Sequence, residues 1–192
     1  MRGFARFCLA TMFALSACAC ARHTESTAAS EGYRPPVLLS ATLQDLMDAE
    51  IDPAADYIWA AVGTVVTRAG TEERRPHGDE EWRELRRRAI VLVEATNLLM
   101  MPGRAVSAAP IPSEGPGVLD SAEIAANLRR DPAAFAGFAV NLRTAGLAVL
   151  AAIEAKDADA LSKAGETLDA ACESCHVANW YPHQVIPKLP DF

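Results

Sequence analysis

Apolar residues recur at steps of three and four in several stretches of the chain, the spacing that places them on one face of a helix. The first stretch opens at Thr42, with Asp45 three residues on as a capping-box pair, and carries Leu43, Leu46, Met47 and Ile51. Asp52-Pro53 then reads as an N-cap and first helical residue, so a new helix or a kink is expected there. Ile58, Ala61, Val62 and Val65 continue the stripe, and Gly70 to Gly78 reads as a charged loop holding Arg74, Arg75 and His77. A second helix is expected from about Asp79. Trp82, Leu85, Ala89, Val93 and Leu99 or Met100 face inward, and Glu80, Glu81, Arg83, Glu84, Arg87 and Arg88 face water. It stops at Pro102-Gly103, and the Pro- and Gly-rich residues 102–118 form a long irregular loop. Ser121 with Glu123 starts a short helix that ends at Asp131. Asp131-Pro132 repeats the N-cap pattern and opens a third long helix, with Phe135, Phe138, Leu142, Leu147 or Val149, and Ile153 inward. Lys156-Asp157 turns the chain, and a fourth helix runs from about Ala158 through Leu161, Leu168 and Cys172 to His176. No strand-like alternation stands out. The expected fold is all-α, an antiparallel four-helix bundle with one long crossing loop.

Composition supports a helical core. Of the 192 residues 51% are hydrophobic, and alanine supplies much of that share, which favours helix over sheet. The formal charge is -7, and Arg2 and Arg6 fall in a segment expected to be removed, so the mature chain is more acidic still. An acidic surface argues against nucleic acid and offers no basic patch to a membrane. Residues 1–17 read as a lipoprotein-type signal peptide. Arg2 and Arg6 form a positive start, and Phe7 to Leu15 is apolar but too short to span a bilayer. Leu15-Ser16-Ala17-Cys18 resembles the lipobox of bacterial lipoproteins, with Cys18 as the lipid attachment site. A plain secretory leader cut at nearby small residues is the competing reading. Either way the chain is exported, and the expected location is the periplasm, anchored to a membrane by lipid and not by a spanning helix. Residues 18–37 read as a flexible tether and 38–192 as the folded domain. Cys8 leaves with the leader and Cys20 is an ordinary thiol of the tether.

The remaining cysteines carry the chemistry. Cys172-Glu173-Ser174-Cys175-His176 is C-x-x-C-H, the sequence at which haem c is attached. Two thiols three positions apart on a helix lie on one face, within reach of the two vinyl groups along one porphyrin edge. The following imidazole then comes to the iron as proximal ligand. Competing readings of the pair are weaker. A thioredoxin-like redox pair opens a helix in a βαβ setting, whereas this one closes a helix. A structural zinc site takes a second ligand pair, for which only His183 stands nearby. A plain disulfide of an exported protein is the third.

A helical bundle with this motif near the end of its last helix resembles the class II c-type cytochromes, the cytochrome c-prime fold. The likeness spans residues 38–181. It is strengthened by Leu46-Met47, Ile51-Asp52-Pro53, Ala61-Val62-Gly63-Thr64, Asn97-Leu98-Leu99-Met100-Met101-Pro102-Gly103 and Trp180-Tyr181-Pro182. These segments resemble a lipoprotein or periplasmic branch with a methionine in its first helix. The family often has an aromatic residue and then Arg or Lys at the third and fourth positions after the haem histidine. Asn179 and Trp180 stand there instead, so the usual cation is missing from that place. Arg86, Arg104 and Arg143 are the candidates for pairing with the haem propionates.

The resemblance implies one covalent haem c on Cys172 and Cys175, with His176 and Met47 as axial iron ligands and Trp180 as a haem neighbour. The sixth ligand in this family comes from the first helix, and Met47 matches that place. Met100 and Met101 are weaker candidates, and core filling is the competing role for all three. His77 reads as solvated, His183 as too close to the motif to reach the opposite face, and His23 as part of the tether. Trp59, Trp82, Phe135, Phe138 and Leu142 are core first and haem wall second. The expected function is single-electron transfer by Fe(III)/Fe(II) cycling, without a catalytic acid or base and so without enzymatic activity. The expected partner is a basic redox protein, and the family often forms homodimers through its first two helices. The alternative is a five-coordinate haem protein that binds nitric oxide or carbon monoxide. A haemless lipoprotein with a C-x-x-C disulfide is a third reading.

Overall fold

The computed structural model of the chain describes residues 37–184. The leader, Cys18, Cys20, His23 and Pro187 lie outside the described residues.

Regular structure is mostly helical. α1 (Leu43–Leu46), a π-helical turn (Met47–Ile51) and α2 (Asp52–Ala60) follow one another without a break. The start is capped from two sides. Asp45 N–H donates to Thr42 Oγ1 (3.1 Å) and Thr42 N–H donates to Asp45 Oδ2 (2.8 Å), the reciprocal capping box. The N–H groups of Leu43 and Gln44, orphaned at a helix start, donate to the carbonyls of Ala105 (2.9 Å) and Val106 (3.0 Å). The long loop thus holds the helix that carries Met47. At Asp52-Pro53 the chain stays helical. Proline has no N–H and its ring crowds the carbonyl four residues back. The helix widens instead, and Asp52 N–H donates to the carbonyl of Met47, five residues earlier.

The all-α expectation is corrected between residues 63 and 74. β1 (Gly63–Thr67) and β2 (Gly70–Arg74) pair antiparallel, with Thr67 opposite Gly70 and Gly63 opposite Arg74. Val62 and Val65 therefore do not continue the helical stripe. Gly63 takes φ +126°, which ends the helix, and the β-branched run Thr64-Val65-Val66-Thr67 suits a pleated strand. Nearly all of the hairpin is exposed, Val66 to 77%, and the missing inner face is why alternation gave no signal.

α3 (Gly78–Leu99), α4 (Ser121–Arg130), α5 (Pro132–Glu154) and α6 (Ala158–Asn179) complete the chain. Asp120 and Glu123 form the capping box of α4, and Asp131 Oδ1 accepts from Ala134 N–H (2.9 Å) at the start of α5. α5 packs against both α3 and α6, and α2 packs on the same two helices. The core is made by Ile51, Ile58, Leu85, Leu92, Val149, Leu161 and Leu168. Leu92 replaces the expected Val93 on the inner face of α3, and Val149 is buried where Leu147 is 49% exposed. Two glycines bring helices close. A Cβ on Gly146 of α5 would lie 2.7 Å from Leu92 Cδ2, and one on Gly165 of α6 would lie 3.2 Å from Trp59 Cδ1. Trp59 Nε1–H donates to the Gly165 carbonyl (3.0 Å), which ties α2 to α6.

Candidate functional site

The last two turns of α6 carry Cys172, Cys175 and His176, all half-buried. Upstream on the same helix Leu161, Ala164, Leu168 and Ala171 are buried. The helix therefore passes from core packing into an open space. Both thiols are free. Burial, assisted by the carboxylates of Asp52 and Asp169, pushes the Cys172 thiol up to about 11. Burial also raises Cys175, against a hydrogen bond from Asn179. Both are protonated at neutral pH, unlike the thiolate of a redox-active pair.

The helix end is held in place by its own carbonyls' partners. Trp180 N–H (2.7 Å) and Tyr181 N–H (3.1 Å) both donate to the His176 carbonyl, and Asn179 Nδ2 donates to the Cys175 carbonyl (3.1 Å). The Trp180 ring meets the His176 ring edge-on at 5.4 Å, and the Tyr181 ring lies 6.1 Å away. Tyr181 Oη–H donates to Glu173 Oε2 (2.6 Å); burial first, then this carboxylate, raises the phenol.

Two cavities meet at this point. The larger, about 340 Å³, is bounded by Met47 and Asp48 on the π turn, by Cys175, His176 and Trp180, and by Ile111, Leu119, Ile124 and Leu128 of the loop and α4. Its volume is that of a small-molecule pocket. The smaller, about 30 Å³, lies deeper, against Phe138, Leu142, Leu99 and Cys172. Met47, Asp52, Phe135, Cys175 and His176 line both. A residue at the N-terminal end of the described chain and the motif at its C-terminal end thus share one space. Burial raises the Asp52 carboxyl, opposed by the His176 imidazole.

The outer wall depends on backbone pairing. Ile111 N–H donates to Ser121 Oγ (2.9 Å) and Ser121 N–H to the Ile111 carbonyl (3.0 Å). Leu119 N–H donates to the Trp180 carbonyl (2.8 Å), which binds the loop to the end of α6. Gly117 makes this closure possible. It has φ +81°, and a Cβ there would collide with the His183 carbonyl.

Several candidates from the sequence lie elsewhere. Met100 packs on the core and the Met101 sulfur accepts from Arg104 Nη2 (3.6 Å). Trp82 is buried in the core and Trp59 is bonded to Gly165. Trp180 does line the larger cavity and is 38% exposed. Arg86 pairs with Glu154 (3.6 Å), Arg143 donates to Asn97 (3.3 Å), and Arg104 donates to the Leu98 carbonyl (3.1 Å) and to that of Ala41. None of the three lines either cavity. His77 N–H is bonded to Glu81, and His183 faces a separate polar hollow beside Arg130.

Asp52 read only as a helix cap, whereas Phe135, read as core first and haem wall second, lines both cavities. Chemically, the arrangement offers two neutral thiols, an imidazole and a thioether around an apolar space. Among the described residues, no group of three or more His, Cys, Asp or Glu side chains assembles as a metal site. Searches of known families, curated proteins and solved structures find no match to this chain.

Proposed function

We propose that this chain is an exported monohaem c-type cytochrome of the class II kind, a four-helix bundle that carries single electrons. The observation that carries the reading is the sharing of one apolar cavity by Met47, Cys175 and His176, with Cys172 on its deeper side. These are the four side chains that a covalently held, Met/His-ligated haem needs, and they come from opposite ends of the domain.

In this reading Cys172 and Cys175 would hold the haem by thioether bonds, and His176 and Met47 would ligate its iron. The bound haem supplies one-electron exchange between ferric and ferrous iron. The chain's own residues supply rigidity and a dry surround. The doubled hydrogen bonds on the His176 carbonyl and the edge of Trp180 fix the imidazole. The capping box and the Ala105 and Val106 carbonyls fix the helix start from which Met47 projects. Phe135, Ile124 and Leu128 keep water from the apolar faces. Neutral thioether ligation favours the reduced state. The four long helical segments, α1–α2 taken as one, are read as the bundle. The acidic surface favours a basic redox partner, and Cys18 provides the membrane anchor.

The test is an optical spectrum of the purified mature domain, oxidised and reduced, after expression with haem c maturation enzymes. A pyridine haemochrome of the haem c type, with a sharp reduced α band and a ferric sulfur-to-iron band at long wavelength, is the expected result. A high-spin spectrum that shifts with carbon monoxide replaces electron transfer by gas binding. Absence of covalent haem overturns the reading.

A further inference from the structure

The wall shared by the two cavities contains one charged group that no motif points to. Asp52 lines both, beside Met47 and His176. It stands five residues after Met47. In an α-helix of 3.6 residues per turn, that spacing points two side chains about 140° apart. Here the intervening turn is π-helical, and Asp52 N–H closes on the Met47 carbonyl. Five residues make roughly one such turn, so both side chains arrive on one face. Pro53 is the cause, because it has no N–H to continue the α pattern. The side chain of Asp52 caps no helix end, although its position before a proline suits that role. Among the described residues no lysine or arginine lines either cavity, and the other carboxylates there, Asp48 and Glu114, line only the larger one.

We propose that Asp52 is a charge partner of the bound haem: the π turn brings its carboxylate to the Met47 face, where it stabilises ferric over ferrous iron. The inference rests on the haem reading above. Ferric haem carries one more positive charge than ferrous haem. A nearby carboxylate, even one as exposed as that of Asp52, therefore lowers the midpoint potential by Coulomb attraction to the extra ferric charge. Met47 and Asp52, five residues apart, then pull the potential in opposite directions.

The experiment is a potentiometric titration of the haem-loaded chain and of four variants, Asp52→Asn, Asp52→Glu, Asp48→Asn and Asp56→Asn. Asp56, exposed as Asp52 is, stands one turn further on and lines neither cavity. Asp52→Asn is expected to raise the midpoint potential more than Asp48→Asn or Asp56→Asn, with the ferric sulfur-to-iron band retained. Asp52→Glu, which restores the charge, is expected to return the potential toward that of the native chain. An Asp52→Asn potential equal to the native one, or a shift no larger than that of Asp56→Asn, overturns the inference and leaves the haem reading standing. Loss of the sulfur band in Asp52→Asn also overturns it, because the residue then acts by holding Met47. A native chain without covalent haem overturns both.

Discussion

The two halves of α6 are built to different rules. From Ala158 to Ala171 the helix buries Leu161, Ala164, Gly165 and Leu168 against α5 and α2. Gly165 even lets Trp59 lie on its backbone. From Cys172 to Trp180 the same helix keeps its thiols, imidazole and indole half-buried or exposed, facing a cavity that α1, α4 and the long loop wall off. The first half is filled by interlocking side chains at core density. The second half is held open by backbone hydrogen bonds, from Leu119 to Trp180 and from Leu43 and Gln44 to the loop. A binding site in a small helical protein needs such a division, because a fully packed end has no room and an unbraced one collapses.

Four variants test how separable the halves are. The largest effect is expected from Cys172→Ala with Cys175→Ala. On the proposed haem reading, covalent haem should vanish from a denaturing gel stained for peroxidase activity, while the haem-free chain keeps its urea midpoint. A large loss of stability in the haem-free chain would mean that the thiols belong to the core after all. Leu168→Ala should do the reverse. It leaves a cavity in the packed half and costs about 2–5 kcal/mol, read as a lowered urea midpoint, with haem still attached. Gly146→Leu drives a side chain into Leu92 and Val93 and should cost roughly 1–3 kcal/mol by overpacking. Wild-type stability there would show that α3 and α5 are free to move apart.

Thr42→Ala should have the smallest effect and the most informative pH dependence. Losing the cap costs about 1 kcal/mol. The hydrogen bonds from Thr42 hold the Asp45 carboxyl below its usual range. A depressed carboxyl contributes stability that is present above its unfolded value and is lost as the pH falls through the lowered native value. Native stability should therefore decline below about pH 4 more steeply than that of Thr42→Ala. Urea midpoints measured across that range decide it, and parallel curves would remove the capping box from the account.

Much of the helical frame was legible beforehand because its signals are local. The capping pair Thr42/Asp45, the Asp131-Pro132 start and the three-four spacing of Leu85, Ala89, Leu161 and Leu168 each act within a turn or two, whereas the cap of α4 lies at Asp120, one residue before the expected Ser121. The hairpin was missed because its strands lie almost wholly in water and so carry no alternation. Leu147 and Val149 both suit a helix face, and only the packing of α5 between α3 and α6 selects Val149.

The same boundary runs through the site. Sequence alone determined the C-x-x-C-H spacing, its place at the end of a helix, and a methionine on the first apolar face, because each is a relation between near neighbours. Tertiary structure alone decided that Met47 and His176 face one cavity, that α4 and the loop form its outer wall, and that Arg86, Arg104 and Arg143 turn away from it. It also decided that Asp52 joins them. Pro53 announces a disturbed helix, but which face the disturbance turns inward depends on where α6 ends, more than a hundred residues further along the chain.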